Sequence, residues 1–324
     1  MSYQPPSPDH PQRALTEAEI ESYDRDGVLF ARGLFDKAWV DRMAVALDEV
    51  VAHPTEYGDA VSMRDQGFSG DLFLWKQFDE FRDFVYESPA ARIAAQLLRS
   101  KRVNFFYDQL FVKPIGCHVA TPWHQDVTFW PVEGEQLCSI WLTFDEVSRE
   151  SSGLEFVRGS HRWPNRFKAV TPDYNAYMMD SDLEDPPDID SQREKYDLLC
   201  WDMEPGDVLL FNSLVVHGST GNHDTQRARR ALSSRWAGDD VRFAPRHATM
   251  PLFWQHDLSP GDPLGGPLFP RVLPEPIAAE GARRAQGPEP QDPEVAQAAI
   301  ASIGAGMKAR REAAGLRAGG GSRS

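Results

Sequence analysis

Apolar residues in the first hundred positions recur at intervals of three and four, whereas beyond Val103 they alternate or bunch into short runs. Trp39, Val40, Met43, Leu47, Val50 and Val51 keep helical spacing, with Asp36 placed to cap that helix and Pro54 to close it. Thr16 with Glu19 fits a capping box, and Gly27 is a natural stop for the short helix between them. The stretch SPAARIAAQLL offers Ser88 as N-cap, Pro89 at the first helical position and an Ala/Leu-rich body. The pattern predicts a mostly helical region over about 15–100.

The runs VNFFYDQLFV, CSIWLTF, LEFVRG, DVLLFN, LVVHG and ALSSRW are β-branched and aromatic, and Gly, Pro, Asn and Asp punctuate them. Their spacing predicts a mainly β core over about 101–240, an antiparallel barrel or jelly roll rather than βαβ units. Residues 1–14 read as a flexible arm, and 279–324 as a C-terminal extension, partly helical or disordered. Residues 15–278 are expected to form a single domain. An acidic insertion, 172–197, joins two predicted strands and contains EDPPD, which cannot continue a ladder. Tyr174, Tyr177, Met178 and Met179 are its expected means of docking, as a mobile lid over the site.

Composition narrows the function. The formal charge of −15 argues against a phosphate-tracking nucleic-acid binder. No apolar run approaches the ~20 residues of a membrane span, and no secretory leader is visible at the N-terminus. Three cysteines, Cys117, Cys138 and Cys200, without CxxC spacing, suit a reducing compartment. The expected location is the cytoplasm, and the expected partner is a small-molecule substrate, with neither nucleic acid nor membrane. Oligomeric state is not legible.

TPWHQDVTFW raises the chemical question, since it sets His124 and Asp126 two apart next to a β-prone run. On a strand the two share a face while Gln125 points away. They are either a polar pair at a sheet margin or two ligands of a metal. His217, at the end of an apolar run and before Gly218, can supply a third. Two histidines and a carboxylate make the facial triad of non-haem Fe(II) oxygenases, with open positions left for cosubstrate and O2. A non-catalytic metal-binding cupin-like protein and a zinc hydrolase would use the same ligands. The arginines of TQRARRALSSRW favour the oxygenase, because a dicarboxylate cosubstrate needs a bidentate guanidinium at its far end.

WHQD, WLTFDEVSRESSGLEFVRGSHRW, PGDVLLFNSLVVHGS and RRALSSRW together resemble the phytanoyl-CoA dioxygenase (PhyH-like) family of Fe(II)/2-oxoglutarate-dependent oxygenases. The resemblance covers Gln109 to Trp236 and, more weakly, the stretch from Thr16. It implies a double-stranded β-helix (jelly-roll, cupin-like) core with N-terminal helices. It implies Fe(II), 2-oxoglutarate and O2, with succinate and CO2 formed as a substrate C–H is hydroxylated. Desaturation, epimerisation or cyclisation would use the same ligands. The family's iron ligands fall on His124, Asp126 and His217, and its cosubstrate arginine on Arg229, with Arg227 and Arg230 as neighbours. Ser219, Trp141, Gln109 and Lys76 match its other cosubstrate positions. Since Asp126 keeps the carboxylate that iron halogenases lack, hydroxylation is the default.

Overall fold

The computed structural model describes residues 13–172, 181–250, 252, 254 and 256–274. Five helices precede the main strands: α1 (Glu17–Asp26), α2 (Lys37–Ala52), α3 (Glu56–Val61), α4 (Asp79–Glu87) and α5 (Ala90–Leu98). Thr16 and Glu19 close the expected capping box, with Glu19 N–H donating to Thr16 Oγ1 (3.3 Å) and Thr16 N–H to Glu19 Oε2 (2.8 Å). Gly27 ends α1 at φ 81°, where a Cβ would run into the His161 ring. Asp36 accepts from Trp39 N–H to cap α2. Ser88 accepts from Ala90 N–H (3.2 Å), and Pro89 already has helical dihedrals.

Two short strands interrupt this region, β1 (Val28–Ala31) and β2 (Ser69–Leu72), and both join the main sheet. Then follow β3 (Val103–Lys113), β4 (Thr121–His124), β5 (Val132–Glu133), β6 (Leu137–Thr143), β7 (Glu155–Val157) and β8 (Leu198–Leu199). The last are β9 (Val208–Asn212), β10 (His217–Ser219), β11 (Arg229–Ala237), β12 (Arg242–Phe243) and β13 (Arg271–Leu273). Every run read as a strand from the sequence contains one. The large sheet has the order β1-β9-β6-β11-β3-β13, with β2 also on β3; the smaller has β4-β10-β7-β8, and all their ladders are antiparallel. This is the expected jelly roll.

Alternation on the strands sends their apolar residues to two faces. Leu110, Ile140, Leu142, Leu210, Leu232 and Trp236 face the helices, against Trp39, Met43, Phe84 and Ile93. Burying each such side chain contributes about 1.5–3 kcal/mol. Between the sheets lie Trp141, Leu209, Phe211, Ala231 and Phe156. The polar residues of the same inner faces, including Ser139, Ser233 and Arg229, are therefore buried too.

The described part of the acidic insertion, residues 172 and 181–197, departs from expectation in how it docks. Ile189, fully buried, docks it against Trp123, Val157, Phe167 and Val216. Trp123 and Val216 immediately precede His124 and His217, so this part lies on the outer face of the small sheet. Arg193 pairs with Glu155 beneath it. Tyr174, Tyr177, Met178 and Met179 lie outside the described residues.

Candidate active site

β4 and β10 pair with His217 directly opposite His124. Gly218 lets the two backbones approach this closely, since a Cβ there would sit 2.9 Å from Thr121 O. His124 ends β4, but Asp126 is not on that strand: it opens a short 3-10 turn, Asp126–Phe129. The common face expected from the strand period is reached by a different backbone. Val127 N–H donates to Ser213 O (3.0 Å), which folds the chain back and carries the carboxylate under the imidazole. Gln125 does point away. It is fully buried, its amide donating to Leu214 O (3.0 Å) and accepting from Phe167 N–H (3.1 Å).

Asp126 Oδ1 lies 3.5 Å from His124 Nε2 and 3.9 Å from His217 Nε2. The donor atoms of all three lie within 4.8 Å of one another, and all three residues are buried. Each histidine's Nδ1 faces a backbone carbonyl two residues earlier, Pro122 O at 2.7 Å and Val215 O at 3.0 Å. A carbonyl only accepts, so Nδ1 carries the proton and the Nε2 lone pairs converge on Asp126. Burial, and then the neighbouring His124, push the His217 pKa down to about 4, which keeps it neutral and able to ligate at neutral pH. Burial alone would raise the Asp126 pKa, but His124, His217 and Arg235 outweigh it and hold the carboxyl ionised.

Ser139 Oγ donates to Asp126 Oδ2 (3.0 Å), fixing the carboxylate so that Oδ1 faces the histidines. The sequence reading missed this residue. Partners of this kind typically contribute 10–100-fold to metal affinity. Ser139→Ala is therefore expected to weaken Fe(II) binding about 10–100-fold in a metal titration. An unchanged affinity would refute the role.

The three arginines at the start of β11 separate cleanly. Arg227 is half exposed and pairs with Glu146. Arg230 points outward to Asp145 and Asp48. Arg229 is 1 % exposed, has no carboxylate partner among the described residues, and its Nε has no hydrogen bond. Its guanidinium carbon lies 5.6 Å from the centroid of Trp141. Burial lowers its pKa to about 10, so it remains a cation at neutral pH.

Across the β3–β11 ladder from Arg229 stands Lys113, fully buried and also absent from the sequence reading. Its ammonium donates to Ser219 Oγ (3.0 Å), Ser152 Oγ (3.0 Å) and Thr220 O (3.0 Å). Burial, and then Arg229, push its pKa well down. Two basic side chains forced together inside a protein mark a place for an anion. Ser219 thus belongs to this cluster through Lys113. Gln109 instead accepts from Arg235 (2.9 Å). Lys76 is buried between β2 and α4, with its ammonium 5.0 Å from the Trp75 ring centroid. Phe129 meets His124 edge-on at 5.3 Å, while Trp130 packs in the core and donates to Tyr107 OH (2.7 Å). A neighbouring cavity of about 710 Å3 is bordered by Thr121, Trp123, Asp188 and Ser219, and not by His124, Asp126 or His217.

The donor set suits Fe(II), and the orphaned guanidinium suits a dicarboxylate anchored at its far end. Residues 23–231 match the family described as Phytanoyl-CoA dioxygenase (PhyH). A probable phytanoyl-CoA dioxygenase of Caenorhabditis elegans is 27% identical over 128 residues, which cover 37% of each chain. The 1-deoxypentalenic acid 11-beta-hydroxylase of Streptomyces arenae is 24% identical over 252 residues, 71% of this chain and 81% of that one. The epimerase SnoN, solved with Fe3+, alpha ketoglutarate and nogalamycin RO, superposes with a TM-score of 0.63 at 18% identity, over 79% of this chain and 98% of that one. With more than half its length matched, the chain belongs to the phytanoyl-CoA dioxygenase family and is an Fe(II)- and 2-oxoglutarate-dependent oxygenase.

Proposed function

We propose that this protein hydroxylates an unactivated C–H of a small-molecule substrate, with formation of succinate and CO2. The observation that carries the reading is the buried triad of His124, Asp126 and His217 with Arg229, unpaired among the described residues, on the same inner surface. Bound iron and 2-oxoglutarate would supply the chemistry, with O2 as the oxidant: one oxygen atom goes to the substrate and the other to succinate. His124, Asp126 and His217 would hold the ion through Nε2, Oδ1 and Nε2. Arg229 would take the distal carboxylate of 2-oxoglutarate, with Lys113 and Ser219 beside it and Trp141 as the wall. Gln109 and Lys76 would line the cosubstrate less directly. Because Asp126 fills the position a halide would need, halogenation is disfavoured.

Epimerisation and ring closure use the same ligands, and the mass of the product separates them. A hydroxylated product gains one oxygen, an epimer none, and a cyclised product loses two hydrogens. A screen of small molecules for substrate-dependent succinate, followed by product masses, tests the proposal. Succinate formed with products that never gain oxygen would overturn hydroxylation. We place this activity in one domain spanning 15–278. Among the described residues no helix is long and apolar enough to cross a membrane, and all three thiols are free, which supports a cytoplasmic enzyme.

A further inference from the structure

The inner face of β11 carries a second buried arginine. Arg229, Ala231, Ser233 and Arg235 alternate toward the space between the sheets, opposite Leu232 and Trp236. In the ladders Arg235 stands across from Tyr107 on β3 and from Ser139 on β6, the residue that holds Asp126. It is therefore level with the triad, and its charge is felt by Asp126 and His217.

Arg235 is 3 % exposed and makes no ion pair among the described residues. Its guanidinium lies 4.3 Å from the Tyr107 ring centroid, with Trp130 at 5.7 Å and Phe111 at 6.0 Å. Nη2 donates to Gln109 Oε1 (2.9 Å) and Nη1 to Ser233 O (3.3 Å), while Nε has no partner. A cation buried on this scale is costly unless an anion meets it. Asp126 is committed to the metal. Arg229 serves an anion six residues away along the strand, about 20 Å at ~3.3 Å per residue. A 2-oxoglutarate that chelates the ion and reaches Arg229 extends away from Arg235, which leaves this guanidinium for a different anion.

We propose that Arg235, supported by Gln109, anchors a carboxylate of the primary substrate on the side of the metal centre opposite Arg229. The inference rests on the oxygenase reading given above. A guanidinium held over an aromatic ring offers a fixed planar fork, which suits a carboxylate. Gln109 Oε1 accepts from Arg235 and so fixes the guanidinium, while its amide donors stay available to the cosubstrate it lines. The subsite thus selects acids over their neutral analogues.

Calorimetry on the anaerobic Fe(II) protein saturated with 2-oxoglutarate tests this, with benzoate, cyclohexanecarboxylate and hexanoate as probes beside their amides. At least one acid is expected to bind more tightly than its amide by about 10- to 150-fold. Arg235→Gln should erase that preference and leave 2-oxoglutarate affinity unchanged, whereas Arg229→Gln should do the reverse. Arg235→Lys, which keeps the charge without the fork, should restore part of the preference. Equal binding of acids and amides by the wild-type protein overturns the proposal without recourse to any variant. So does a loss of 2-oxoglutarate affinity in Arg235→Gln, which would give Arg235 to the cosubstrate's other carboxylate. Failure of the wild-type protein to bind 2-oxoglutarate would instead remove the oxygenase reading itself, and the inference with it.

Discussion

His217→Ala is expected to lose both bound Fe(II) and all 2-oxoglutarate turnover while remaining folded. Among the described residues three donors come together to face the ion that would bind there, and a two-donor remnant cannot hold the three-sided coordination. The His217 ring also stacks on Phe156 at 5.5 Å and packs against Phe211 at 4.8 Å, so truncation opens a cavity as well. His217→Gln separates the two effects, because it refills much of the volume without restoring an imidazole. Iron content after anaerobic loading, succinate formation and circular dichroism should be read together. Wild-type iron content and turnover in His217→Ala would show that this residue is not a ligand.

That His124, Asp126 and His217 come together was legible in the sequence for a partly mistaken reason. Strand alternation pairs His124 with Asp126 on paper, yet the chain leaves β4 after His124 and brings the carboxylate round on a turn. The bond that enforces this, Val127 N–H to Ser213 O, joins segments far apart in sequence, and no local pattern announces it. Lys113 and Arg235 were missed although the signal was present. Both share strand parity with Gln109 and Arg229, which had been singled out, and on an inward strand face a charged residue of matching parity must be buried. β1 and β2 were hidden because four-residue strands among helices carry almost no periodic signal. β1 is fixed by its ladder with β9, about 180 residues later. Ile189 and Tyr196 dock the described part of the acidic insertion as isolated apolar residues within an acidic run, too little to register as a pattern.

Arg229→Ala should raise the 2-oxoglutarate requirement by about 10- to 150-fold, the equivalent of losing a charge-assisted pair worth about 1.5–3 kcal/mol. Lys113 decides where in that range the value falls. With Arg229 in place, burial and the neighbouring cation both disfavour the protonated ammonium. Removing Arg229 removes the repulsion, so Lys113 charges more readily and offers the distal carboxylate a substitute partner. The single variant should therefore lie toward the lower end, and Arg229→Ala with Lys113→Met toward the upper end or beyond it. Acting independently, the two changes would simply add; a double variant no worse than Arg229→Ala would exclude Lys113 from the anion site. Arg227→Ala should leave the requirement alone, since an exposed pair such as Arg227–Glu146 contributes only about 0–1 kcal/mol. Arg230→Ala should act on folding instead, because it strips Asp145 and Asp48 of their shared guanidinium. Titration of each Fe(II)-loaded variant with 2-oxoglutarate under anaerobic conditions, beside a denaturant unfolding curve, resolves the three. A defect that followed Arg227 rather than Arg229 would mean that the anion lies outside the barrel.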